Sequence, residues 1–179
     1  MKEKIIKRSL DFVKKEGLNS FSMRKLASQL AIDPMTIYYY FKNKEDLVSE
    51  MVEVVFGKFV NSLNSKIRIG NEDRQLRLFL SEYRNFFIQY MELSLYLIHS
   101  SKKTYPSVEL LNQLLLNLIV SLNPKINPII VRDILIDFIH GNALSSKFQF
   151  EKKSKAESLR LHQTKFQKSI RILIKHLFR

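Results

Sequence analysis

Apolar residues recur along this chain at helical spacing almost throughout, and no stretch alternates apolar and polar positions as a strand does. In the first segment Ile5, Ile6, Leu10 and Val13 form one stripe, predicting a helix over 2–15 that stops at Gly17. Ser22 is a good N-cap for a short helix running to Leu30, and Ala31-Ile32 then reads as a turn. Asp33 caps another short helix, with Pro34 at its first position, where a missing N–H does no harm. That helix is expected to end near Tyr40 or Phe41. Asn43 opens a long one, with Glu45 and Asp46 complementing its dipole. Its face of Leu47, Val48, Met51, Val52, Val55, Phe56, Phe59, Val60 and Leu63 predicts an end before Gly70.

The second half repeats the pattern. Helices are predicted over 72–80 and 82–99, with a bend between them. Tyr83, Phe86, Phe87, Tyr90, Ser94 and Leu97 line one stripe of the latter. Pro106 opens a helix to Leu122, and residues 123–128, with two prolines and two asparagines, interrupt it. A helix over 129–148 is apolar on most of its surface. The last, over 155–178, has an inner stripe of Leu159, His162, Phe166, Ile170, Leu173 and Leu177. The chain is therefore expected to be all-α.

Leu26, Ala27, Leu30, Ile32 and Ile37 can form the small core that holds two short helices at a steep angle, as in a helix-turn-helix. The second short helix then shows its N-terminal and outer residues to the DNA major groove. Thr36 can reach a base or a phosphate, and Met35 can touch a thymine methyl. Tyr38 and Tyr39 offer rigid reach and hydroxyls for phosphate. Lys42 follows just behind. Lys44 joins a cation to the exposed N–H groups of a helix start, and Arg24 can fork onto a guanine or a phosphate. Tyr40 and Phe41 can equally well be core.

The segment Arg24 to Leu47 resembles the DNA-binding domain of TetR-type (tetracycline-repressor family) transcriptional regulators. The resemblance rests on Lys25-Leu26-Ala27, Leu30-Ala31-Ile32, Thr36-Ile37-Tyr38 and the run from Tyr40 to Leu47. It implies a homodimer on a palindromic operator, with Arg24, Thr36, Tyr38, Tyr39 and Lys44 at positions that contact DNA. It also implies a division into a helix-turn-helix domain over 1–47 and a helical ligand-binding and dimerisation domain over 48–179. Ala31 stands where glycine is common. The start of the recognition helix, Pro34-Met35, has few hydrogen-bonding groups, so shape readout gains weight.

For the larger domain, the helices near 129–148 and 155–178 are the expected dimer interface, although a monomer's central core helix would share the pattern of the first. Gly141 and Ala143 would allow close approach. Phe59, Phe86, Phe87, Tyr90, Met91, Phe138 and His140 are candidates to line a pocket for an unknown small-molecule effector; an aromatic stripe also serves as plain core. Asp133, Asp137 and His140 share a helix face, a spacing that suits hydrogen bonds better than a metal site. No metal and no cofactor is expected, and His99 and His162 read as structural.

Composition narrows the function classes. The 179 residues carry a net charge of +13 and no cysteine, which excludes disulfides and thiolate chemistry. There is no G-x-S-x-G, no glycine-rich phosphate loop and no pair of catalytic carboxylates, so an enzyme is not expected. Charges persist through the N-terminus, and no apolar run reaches bilayer length, so a cytoplasmic protein with no membrane partner is expected. Residues 151–179 hold nine basic against two acidic residues. That charge either meets a polyanion or reflects a lysine-rich composition on a solvated face. The expected function is a ligand-responsive one-component regulator, a repressor released from double-stranded DNA by a small molecule. The alternative is an activator or co-regulator that works through a protein partner at the basic tail.

Overall fold

The computed structural model describes residues 1–67, 71–99, 104–149 and 155–178, the side chains of 147–149 and 155–161 excepted. Among them lie nine helices and no strand: α1 (Lys2–Glu16), α2 (Met23–Leu30), α3 (Pro34–Tyr40), α4 (Lys44–Lys66), α5 (Glu72–Gln89), α6 (Met91–His99), α7 (Pro106–Leu122), α8 (Pro128–Gln149) and α9 (Lys155–Leu177). No helix of the described residues is long and apolar enough to cross a membrane.

The chain divides into two compact units. The first comprises 1–59 and 90–109, the second 60–89 and 110–179. The boundary expected between residues 47 and 48 lies within α4 and within the first unit.

In the first unit, Ile5, Ile6, Phe12 and Val13 of α1 are buried with Leu26, Ala27 and Ile37. Phe12 meets Phe21 edge-on at 5.4 Å between ring centres. Ser9 also lies on the inner face of α1, where its hydroxyl donates to the Ile5 carbonyl at 2.8 Å and so stays satisfied. Leu10, expected in that stripe, is only half-buried, because Phe12 takes the inward position. Helix α6 belongs to this unit: the Glu92 carboxylate accepts from the Leu18 N–H at 3.2 Å. Glu53 of α4 accepts from the Ser107 N–H at 3.2 Å, satisfying one of the orphan donors at the start of α7.

In the second unit α5 packs on α8 and α9 over a core that includes Leu76, Phe79, Leu80, Phe87, Leu135, Ile139, Phe166 and Ile170. Polar side chains join the same helices. Gln167 donates to the Ser81 hydroxyl at 2.8 Å, and Lys66 of α4 pairs with Glu82 at 2.6 Å. The bend expected near residue 81 is absent. The Ser81 hydroxyl donates to the Arg77 carbonyl within the helix, which runs on to Gln89, and the break falls at Tyr90. Helix α8 buries Val131, Leu135, Ile139 and Ala143 but leaves Ile129, Ile130 and Ile134 exposed.

Candidate nucleic-acid interface

Three short-range devices shape the α2–α3 segment. The Ser22 hydroxyl accepts from the Lys25 N–H at 3.2 Å and starts α2. At its end Ala31 adopts left-handed backbone, with φ 52° and ψ 46°. The Ala31 N–H donates to the Ser28 carbonyl at 3.2 Å and the Ile32 N–H to the Ala27 carbonyl at 3.1 Å, the paired bonds of a Schellman turn. An alanine there bears a Cβ penalty that glycine would not. Asp33 then caps α3, its Oδ1 accepting from the Met35 N–H at 2.7 Å.

Helix α3 is only seven residues long and would not persist alone. Ile37, fully buried, pins one face. Phe41, also buried, closes the end, its N–H on the Ile37 carbonyl at 3.0 Å and Lys2 lying 5.7 Å above its ring. Phe41 is thus core, while Tyr40 is half-buried and meets Tyr39 edge-on at 5.0 Å.

What α3 turns outward is unusual. Met35 is 72% exposed, Tyr39 83% and Tyr38 43%, with Thr36 half-buried beside them. Apolar and aromatic side chains held this far out on a capped, anchored helix make it a candidate contact surface. Basic groups surround them in the same unit. Arg24 on α2 is exposed and meets no carboxylate among the described residues. Lys42 is exposed, while its N–H donates to Asp46 at 3.1 Å; the Asp46 N–H in turn donates to Asn43 Oδ1 at 2.8 Å, capping α4. Lys44 is half-buried. Its ammonium donates to the Leu18 carbonyl at 3.0 Å and lies 5.8 Å over the Phe21 ring. The Leu18 peptide is therefore held at both ends, by Glu92 and by Lys44.

The expected DNA-contacting residues all fall in the first unit. The expected pocket residues do not share one unit: Phe59, Tyr90 and Met91 belong to the first, Phe86, Phe87, Phe138 and His140 to the second. Within the second, the Phe87 and His140 rings lie 4.5 Å apart. His140 Nε2 shares a hydrogen bond of 2.9 Å with the Tyr83 hydroxyl. Burial lowers the pKa of His140, opposed by the nearby charge of Asp137, and burial raises that of Tyr83. Both charged forms are disfavoured, so the pair is neutral near pH 7. Asp133 pairs with Arg132 at 2.7 Å, and no group of three metal-ligating side chains comes together among the described residues. Arg84, adjacent to Tyr83, is buried against α8 and α9. Sequence reasoning passed over it, because an arginine reads as surface; its place inside the aromatic run Tyr83–Phe87 was the available signal.

Residues 5–51 match the family described as bacterial regulatory proteins, tetR family. The match covers about a quarter of the chain. The match lies on the segment whose caps and exposed helix face are described above. An uncharacterised HTH-type transcriptional regulator from Haemophilus influenzae is 34% identical over 79 residues, covering 44% of this chain and 35% of that protein. A fatty acid metabolism regulator protein from Bacillus subtilis is 30% identical over 64 residues, covering 36% and 33%. The chain thus spans about a third of the length of the curated relatives it matches. Over nearly the whole chain it shares the fold of the transcriptional regulator FadR from Bacillus subtilis, solved with stearoyl-CoA: TM-score 0.69 at 17% identity, covering 97% and 98%. The family matched over these residues is one of bacterial regulatory proteins.

Proposed function

We propose that the chain is a ligand-responsive repressor that binds a palindromic DNA operator as a homodimer. The observation that carries this reading is the outward face of α3, where Met35, Tyr38 and Tyr39 stand exposed on a helix fixed by Ile37 and Asp33. In this reading Met35 and Thr36 meet base edges, Tyr38, Tyr39, Lys42 and Lys44 clamp phosphates, and Arg24 reaches base or backbone from α2. Residues 1–47 form the DNA-binding domain and 48–179 the ligand-binding and dimerisation domain.

Dimer formation is supported by Ile129, Ile130 and Ile134 on α8 and Ile172 on α9, large apolar side chains that a single chain leaves exposed. The partner's α8 and α9 would cover them in a four-helix bundle across a two-fold axis. An effector is supported by the shared fold of a FadR solved with stearoyl-CoA. Helix α4 starts at Lys44, so a ligand that tilts α4 changes the spacing of the two recognition helices, set by roughly 34–36 Å of DNA repeat. The ligand must bind the DNA-free state more tightly for this to release DNA.

A second reading draws on Lys165, Lys168 and Arg171, exposed with Lys175 on α9: a co-regulator that recruits a protein partner there. Selection of genomic DNA fragments by the purified protein, with excess competitor at physiological salt, tests the main reading. One or a few palindromic sites are expected. Binding without sequence preference would reject it.

A further inference from the structure

Arg84 is 5% exposed, and among the described residues it is the only buried cation. Its Nε donates to Asn142 Oδ1 of α8 at 2.6 Å, and its guanidinium lies 4.9 Å from the centre of the Phe166 ring of α9. The ring of Phe166 in turn stacks on Phe138 at 6.1 Å. Arginine presents five N–H donors in a rigid fork and does not lose its proton in a protein. One donor is used here. Asn142 supplies a dipole and the Phe166 ring a quadrupole, neither of them a charge.

Among the described carboxylates of the same unit, Glu72 is exposed and in no ion pair, and three others are paired elsewhere. Asp73 pairs with Arg77, Glu82 with Lys66 and Asp133 with Arg132. Asp137 is exposed and acts on His140. No ion pair reaches Arg84 from any described residue. Buried charges in folded proteins are normally paired, because taking an ion out of water is strongly unfavourable. A permanent positive charge without a counter-charge in the core is the arrangement expected of a site whose anion arrives from outside.

We propose that Arg84 anchors the head group of an amphipathic ligand that carries a negative charge, a carboxylate or a phosphate monoester. The free Nη donors receive the acid oxygens as a fork, Asn142 orients the guanidinium, and the apolar body of the ligand lies against the rings of Phe166 and Phe138. This inference rests on the reading that the second unit takes an effector, and it names that effector's chemistry.

Equilibrium dialysis of the full-length protein against radiolabelled dodecanoate, dodecyl phosphate and dodecanol tests it. At least one acid binds more tightly than the alcohol, and the better acid identifies the head group. Arg84→Met weakens that acid by about ten- to a hundredfold, the loss of one or more charge-assisted bonds, and leaves dodecanol nearly unchanged. Asn142→Asp guards against misfolding as the cause. It places a carboxylate of the chain's own beside Arg84, so the protein folds at least as stably as the wild type while acid binding falls. Equal affinity for acid and alcohol, no acid binding below about 1 mM, or unchanged acid affinity in both variants overturns the proposal. If dodecanol alone releases selected DNA, the regulator reading stands and Arg84 has no part in it. If no DNA site is selected but acid binding still depends on Arg84, the regulator reading falls and the anion site stands.

Discussion

Two regions break the ordinary rule of burial in opposite directions. Helix α3 holds Met35, Tyr38 and Tyr39 out in water, although its backbone is fully capped and Ile37 gives it a firm seat. Helix α5 holds the charge of Arg84 inside, although nothing among the described residues neutralises it. In neither place does local chemistry alone account for the choice of side chain. Sequences that fold well agree with themselves at every level, and disagreement concentrates where the protein meets something else. An apolar surface open to contact and a buried cation open to an anion are the two places where the proposed function puts DNA and the effector.

The largest effect that can break this comparison is removal of the seat of α3. Ile37→Ala deletes a fully buried side chain and is expected to destabilise the fold by about 2–5 kcal/mol. DNA binding should vanish with it, as followed by circular dichroism and filter binding. A stable variant that still bound DNA would show that the exposed face does not depend on the core beneath it. Arg84→Met should act in the opposite sense. Replacing a buried, unpaired charge by an apolar side chain of similar reach is expected to stabilise the ligand-free protein by roughly 1–4 kcal/mol in urea unfolding. A large loss of stability would reveal that the guanidinium already has its compensation within the fold.

Smaller, and specific to the second unit, is a pH dependence. Burial holds the pKa of His140 below its ordinary 6.5, so the unfolded chain takes up a proton more readily than the folded one. The stability contributed by the neutral ring is complete above pH 6.5 and is lost as pH falls below it toward the folded-state value. Thermal melts from about pH 7.5 down to about pH 5.5 should show this decline, and His140→Phe should flatten it. An equal slope in the variant would assign the dependence to other groups. The smallest expected change is a gain. Ala31→Gly relieves the Cβ of a left-handed residue and should raise stability by up to about 1 kcal/mol. A loss would mean that the added chain entropy of glycine outweighs the relieved strain.

Much of the first unit is legible in the sequence because its devices are local. Ser22, Asp33 and Asn43 each cap the helix that follows, and Pro34 stands where only the first turn admits it. A reader needs only a few neighbouring residues to see them. The break at Tyr90 is not legible, since neither glycine nor proline punctuates it and a polar Ser81 invites a break nine residues too early. The inner position of Phe12 over Leu10 depends on Phe21, and the burial of Arg84 depends on Asn142 and Phe166, partners distant in sequence. Pattern reading finds which residues share a helix face but not which distant side chain meets it.

The most direct test of the central claim is the affinity of the Tyr38→Ala/Tyr39→Ala double variant for a DNA site selected by the wild type, measured at two salt concentrations. Both tyrosines are exposed, so the variant should melt within a few degrees of the wild type. Binding to the selected site should weaken by at least tenfold, with hydrogen bonds to charged phosphates contributing about 1.5–3 kcal/mol. Unchanged affinity at both salt concentrations, in a protein that is folded, would contradict it: the outward face of α3 would then not be the surface that meets DNA.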